Sequence, residues 1–245
     1  AYLAALEMVI GGIGRRAAQL RDFCIQKAEE TEDASRKATL LRMARNCSRV
    51  PMNPAQSFEE AIQCLYFCFA FLPDSIGRPD QYLYPLYKRG VSDGTLTREH
   101  AKELIQELFI RIHGHTFHTP WADDKGAESH FVIGGYTKEH EDGFNELSDL
   151  ILESMMELPL ERPQVSLRWT KKTPREVLRK MLDCERRDRY KRIAFVNDEP
   201  RIASLMKING LPFETACEYI MVGCNEPAYQ GGISLGGNTC NIVRS

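Results

Sequence analysis

The chain of 245 residues is 43% hydrophobic and 27% charged, with a formal net charge of −2. That composition supplies a sizeable globular core, in one large domain or two smaller ones. The lack of a basic surplus argues against nucleic acid or an anionic membrane as partner. The longest unbroken apolar run, Cys64 to Leu72, falls well short of the ~20 residues of a spanning helix. Eight scattered cysteines without a C-x-x-C pair, and no export signal, predict a reduced cytoplasmic compartment. Cys64 and Cys68, spaced i, i+4, read as apolar packing. Both ends read as cut: no initiator Met opens the chain, and Cys240 to Ser245 add no closing element. A piece of a longer protein, truncated at both ends, is the expectation.

Residues 1 to about 30 predict a helix interrupted at Gly11-Gly12-Ile13-Gly14, since each glycine costs a helix about 1 kcal/mol. The glycine spacing matches no nucleotide fingerprint. Arg36 to Cys47 predicts a second helix, and the prolines of Val50 to Pro54 break it. Ser57 and Glu60 form a capping box for a third helix, apolar on nearly every side by Leu65 to Leu72, which implies deep burial. The polar, turn-rich stretch from Pro73 to Pro85 either lines a pocket or is a structural turn in which Arg78 and Asp80 meet backbone or each other. From Thr97 an amphipathic helix carries Ala101, Leu104, Ile105, Leu108, Phe109 and Ile112 on one face. His113, His115 and His118 follow. No acidic partner is placed beside them, so an ordinary loop is preferred over a metal site.

His130 to Gly134 predicts a strand and Asn145 to Glu157 a helix. Gln164 to Trp169 alternates as a strand, with Gln164, Ser166 and Arg168 on one face. Thr173-Pro174-Arg175-Glu176 predicts a helix capped by Thr173. Ile193 to Val196 predicts a buried strand, and Asn197 to Pro200 opens the next helix. Phe213 to Ile220 predicts a further helix feeding Gly223-Cys224-Asn225-Glu226-Pro227. This alternation implies an α/β fold with the strands in one sheet or barrel. Asn197-Asp198 and Cys224-Glu226 would then lie at the rim formed by the strand C-termini.

Cys224 and Glu226 are the candidate catalytic residues. If the run entering them is extended, they point to the same side. A nucleophilic thiol needs a base to form thiolate, and a carboxylate two residues away disfavours that anion. The pair suits a thiol that stays protonated and gives up a hydrogen atom, with Glu226 moving a proton. A buried Cys beside a capping Glu is the alternative without chemistry.

Several stretches are similar to one family. Val50-Pro51-Met52-Asn53-Pro54 with Ser57 to Gln63, and Gly77-Arg78-Pro79-Asp80-Gln81-Tyr82-Leu83-Tyr84-Pro85, come first. Asn145 to Ser148, Thr173-Pro174, Asn197-Asp198-Glu199 and Gly223 to Pro227 follow in order. On these the chain resembles the glycyl radical enzymes of the pyruvate formate-lyase family, across nearly its whole length. The resemblance implies part of a ten-stranded α/β barrel with the Cys224 loop projecting into its centre. It implies a glycyl radical on a glycine outside this chain, no metal at the barrel site, and a radical SAM activating enzyme as partner. It further implies a homodimer at full length and a small-molecule substrate, with Cys224 as the thiyl relay and Glu226 as acid/base.

Departures from the family pattern narrow this. The glycine-radical pattern near R-V-x-G-Y is absent, so these 245 residues alone are expected to be inactive. Asn225 follows Cys224 where pyruvate formate-lyase has a second cysteine, which favours a lyase, decarboxylase or dehydratase over an acyltransferase. Asp74, Ser75 and Asn238 are the candidate substrate-binding residues. Asn238 stands where diol dehydratases are often acidic, and of their polar E-S-N-G-H-S-like stretch only Ser75 is kept. Phe69 to Pro73 would give an apolar wall suited to a less polar substrate, such as an arylacetate. The competing readings are a thiol-nucleophile enzyme using Cys224 and a non-catalytic barrel subunit.

Overall fold

A computed structural model describes residues 2–71, 75–114, 129–222 and 225–229. The chain opens with three helices: α1 (Tyr2–Glu30), α2 (Ala34–Arg49) and α3 (Phe58–Phe71). Helices α4 (Pro79–Tyr82), α5 (Tyr84–Ser92) and α6 (Arg98–Gly114) follow. Strand and helix then alternate through β1 (His130–Gly134), α7 (Glu146–Glu157), β2 (Gln164–Trp169), α8 (Arg175–Arg187), β3 (Ile193–Asn197) and α9 (Asp198–Asn209). A single turn, α10 (Phe213–Ala216), leads into a hairpin of β4 (Ile220–Val222) and β5 (Glu226–Ala228). No described helix is long and apolar enough to cross a membrane.

The three long strands form one parallel sheet in the order β1-β2-β3. Gly77 extends it beyond β1: Ile76 N donates to His130 O at 2.8 Å and Val132 N to Gly77 O at 2.8 Å. Alternation gives this sheet two different faces. Phe131, Ile133, Val165 and Leu167 pack outward against Leu108 and Phe109 of α6, Leu147 and Ile151 of α7, and Met181 of α8. Phe109 meets Phe131 edge-on at 4.9 Å. On the inner face, Val132 and Val196 join Ile202 and Leu205 of α9 with Ala216, Cys217, Tyr219 and Met221 from the hairpin and its approach. The two faces thus separate a helix-covered scaffold from an interior filled by the hairpin.

Several local expectations are corrected. Helix α1 runs unbroken through Gly11 to Gly14. A Cβ on Gly14 would sit 2.7 Å from Met52 Sδ, so that glycine lets the 50–54 turn approach the helix. Helix α2 starts earlier than predicted because Asp33 Oδ1 accepts from Ser35 N and Arg36 N. Ser57 caps Glu60 N at 3.1 Å, but the Glu60 carboxylate reaches back to Gln56 N instead of closing the box on Ser57. In α3, Phe67 and Phe69 are buried while Cys68 and Phe71 are exposed, so the apolar run is buried on only part of its circumference. Thr173 does not cap α8. Pro174 holds that position, and Thr173 Oγ1 accepts from Thr170 N at 2.9 Å and donates to Asp142. The predicted helix from Phe213 to Ile220 is one turn, after which the chain extends into β4.

Candidate active site

At the C-terminal ends of the strands, the inner face carries a buried charge network. Arg168 of β2 and Asp198, the first residue of α9, are both fully buried. They pair in bidentate fashion, Nε to Oδ1 and Nη2 to Oδ2, each at 2.8 Å. Buried charges persist only when paired and well hydrogen-bonded, and the remaining contacts supply further bonds to both groups. Arg168 donates to Tyr219 O at 2.9 Å and Cys217 O at 2.8 Å. Tyr219 Oη returns to Asp198 Oδ1 at 2.7 Å, and Tyr136 N reaches Asp198 Oδ2 at 2.7 Å. The guanidinium also lies 3.9 Å over the Tyr219 ring. Burial pushes the Tyr219 hydroxyl well above its ordinary pKa, keeping it a donor.

Arg78 approaches from the other side. Its Nη1 donates to Cys217 O at 3.0 Å and pairs with Glu218 at 3.2 Å, while Nη2 donates to Gly134 O and Tyr136 O. Asp80 Oδ2 accepts from Gly134 N at 2.7 Å and Ser148 Oγ at 2.6 Å. Burial raises the Asp80 pKa and lowers that of Arg78, each against its charged form. The stretch from 75 to 85 is therefore structural at these two positions, and both side chains bind backbone.

The hairpin descends from this network along the inner face. Its strands pair antiparallel, Ile220 with Ala228 and Val222 with Glu226. Next to the turn, Asn225 has φ +79°, a left-handed conformation that asparagine adopts more readily than most residues. Its Oδ1 accepts from Ser166 Oγ at 3.3 Å, and Ser166 Oγ lies 3.4 Å from His130 Nδ1. His130 and Ser166 are fully buried. Asn225 thus meets β2 at Ser166, two residues before Arg168. Glu226 is exposed, and no hydrogen bond or ion pair engages its carboxylate among the described residues.

Of the residues predicted for the site, Glu226 and Ser75 are described. Ser75 sits beside the start of β1, its Oγ 3.5 Å from His130 O and accepting from Gly77 N at 3.1 Å. Cys224, Asp74 and Asn238 lie outside the described residues. So do His115 and His118. His113 lies in the last turn of α6, and no cluster of His, Cys, Asp or Glu suited to a metal occurs among the described residues. Phe69, expected to contribute to an apolar wall, packs into the outer core against the helices. Sequence reasoning did not single out His130 or the Arg168–Asp198 pair. The alternation of β2 already placed Ser166 and Arg168 on one face, and that was the available signal.

The description "Pyruvate formate lyase-like" fits residues 1–244 of the chain. The chain belongs to the pyruvate formate lyase-like family. It is 32% identical to the isethionate sulfite-lyase of Bilophila wadsworthia over 92% of this chain and 29% of that protein. It is 30% identical to the (2S)-3-sulfopropanediol dehydratase of Klebsiella oxytoca over 82% of this chain and 26% of that one. A glycyl radical enzyme from Archaeoglobus fulgidus superposes with a TM-score of 0.81 at 26% identity, covering 89% of this chain and 30% of the other. The chain therefore spans under a third of the length of these relatives. Its sheet and helices are part of the α/β barrel of glycyl radical enzymes.

Proposed function

We propose that this chain is part of a catalytic barrel that cleaves a C–C or C–X bond of a small organic substrate, as a lyase, dehydratase or decarboxylase. Cys224 supplies the hydrogen-atom relay and Glu226 the acid/base. The observation that carries the reading is a hairpin whose Asn225 is bonded to Ser166 on the inner face of the sheet, in a member of this family. A glycyl radical elsewhere in the full-length protein, generated by a radical SAM activating enzyme, would supply the one-electron oxidising power. The chain supports that requirement in that Asn225, the residue after Cys224 in sequence, is bonded to Ser166 of β2. Cys224 would pass its S–H hydrogen atom to that glycyl radical and, as a thiyl, take one hydrogen atom from a substrate carbon. Glu226 transfers a proton at the group that leaves or is deprotonated. The product radical recovers its hydrogen atom from Cys224, so the cycle needs no net oxidant.

His130 and Ser166, linked to Asn225 through the Ser166 hydroxyl, are proposed with Ser75 to contribute to substrate binding. Asp74 and Asn238 are proposed to add to that set. The whole protein is proposed to act in the cytoplasm as a homodimer. In the full-length protein, anoxic activation should give a glycyl doublet by electron paramagnetic resonance. Cys224→Ala should retain the doublet while turnover falls at least about 10⁴-fold, as expected when an essential reacting group is removed. Glu226→Gln should keep the doublet and lose about 10²–10⁴-fold. Turnover in air without activation would overturn the reading. That result would instead favour a Cys224 nucleophile, with His130, linked to Asn225 through Ser166, as a candidate base.

A further inference from the structure

We propose that Arg168 is a positioning residue which, paired with Asp198, sets how deeply the hairpin carrying Cys224 and Glu226 enters the barrel. The inference rests on the reading of those two residues as the reacting pair. The four bonds of Arg168 divide equally: two hold Asp198, and two hold the carbonyls of Cys217 and Tyr219. Those carbonyls belong to the residues that lead directly into β4. Cys217 follows the single turn of α10, where the last carbonyls of a helix lack partners within it. Arg78 takes the same Cys217 carbonyl at 3.0 Å, and Tyr219 Oη returns to Asp198. The foot of the hairpin is thereby fixed to β2, α9 and the segment entering α4 together.

Strand β2 also receives the other end of the hairpin. Ser166 and Arg168 lie on one face of β2, two residues or roughly 7 Å apart. Ser166 holds Asn225 beside the turn, and Arg168 holds Tyr219 at the foot. One strand therefore measures the hairpin at two points. A slip of a single residue, roughly 3.3 Å, would break both attachments. Misplacement of a reacting group by about 1 Å can cost about 10²-fold in rate. A buried ion pair is seldom worth more to stability than well-packed apolar side chains. Stability alone therefore does not account for a buried arginine whose two bonds beyond Asp198 both go to the hairpin's foot.

The test is site-resolved alkylation of the full-length, unactivated protein by iodoacetamide, read by mass spectrometry at Cys224 and at Cys184. Cys184 is buried in the outer core on the opposite face of the sheet and reports general loosening. Arg168→Lys keeps the charge but cannot serve Asp198 and both carbonyls with the same planar fork. Losing one charge-assisted bond corresponds to about tenfold or more in the equilibrium that releases the hairpin. The expected result is a Cys224 rate raised about tenfold or more, with Cys184 unchanged. An unchanged Cys224 rate in folded Arg168→Lys overturns the proposal. If Arg168→Lys raises both cysteines together, Tyr219→Phe decides, since it removes only the hydroxyl bond to Asp198. A severalfold rise at Cys224 alone supports the proposal, and no rise, or a parallel rise at Cys184, ends it. The measurement uses neither radical nor turnover, so it is independent of whether Cys224→Ala abolishes catalysis.

Discussion

Gly135 has φ +82°, and a Cβ there would lie 2.5 Å from Arg168 Nε and 2.7 Å from Asp198 Oδ2. Gly94 has a similar φ of +76° with nothing within 4 Å of the added atom. The two positions separate backbone strain from crowding. Gly94→Ala should cost about 1–2 kcal/mol for the left-handed backbone alone. Gly135→Ala should add about 1–3 kcal/mol for the displaced ion pair. Denaturant midpoints of the two variants check the difference, and equal midpoints would contradict the packing around Arg168. The site residues were legible in the sequence to different degrees. Cys224 and Glu226 stand out because thiol and carboxylate chemistry is visible in any context. Arg78 and Asp80 could not be assigned from composition, since a polar loop residue reads the same whether it meets substrate or backbone. His130 was hidden because its importance comes from strand parity and from a hairpin nearly a hundred residues later.

Helices α6 and α7 were readable from periodicity, because each presents one apolar stripe to the sheet. Their polar sides meet through Glu153, which accepts from Arg98 and, at 2.8 Å, from Lys102. Those hydrogen bonds, Arg98 first, lower the Glu153 pKa from 4.5 to about 2. A depressed carboxylate contributes stability that is full above its unfolded value and is lost as pH falls through the folded one. The difference in stability between wild type and Glu153→Gln should therefore be constant above about pH 5 and shrink as pH falls from 4.5 toward 2. Because the pair is partly exposed, that difference should stay below about 1 kcal/mol and decrease with salt. Urea titrations at several pH values would show it, and a difference that grew on acidification would refute the assignment. The hairpin was less legible than these helices. Three-residue strands such as β4 carry too few positions for a period, and the helix-favouring composition from Phe213 to Ile220 masked the change to extended chain. At the start of the chain the opposite happened, and the glycines of α1 suggested a break that packing against Met52 does not require.

At the scale of the molecule, alternation of strand and helix was enough to predict an α/β sheet, while closure of that sheet lies beyond any local pattern. Among the described residues β3 pairs only with β2, so its far edge has no ladder partner. An open edge presents unpaired backbone groups, and a closed barrel removes them by pairing every strand. The relatives are about three times as long as this chain, and the further strands that complete such a barrel are proposed to come from the rest of the full-length protein. Hydrogen exchange of Ile193 to Asn197 should therefore be fast at alternate amides in the 245-residue chain. The same amides should be strongly protected in the full-length protein. Amides of β2, paired on both sides in the sheet described, serve as the internal reference and should be protected in both. Equal protection of β3 in the two proteins would mean that the strand does not gain a neighbour. The barrel would then have to close elsewhere, and the inner face that receives the hairpin would be open on the β3 side.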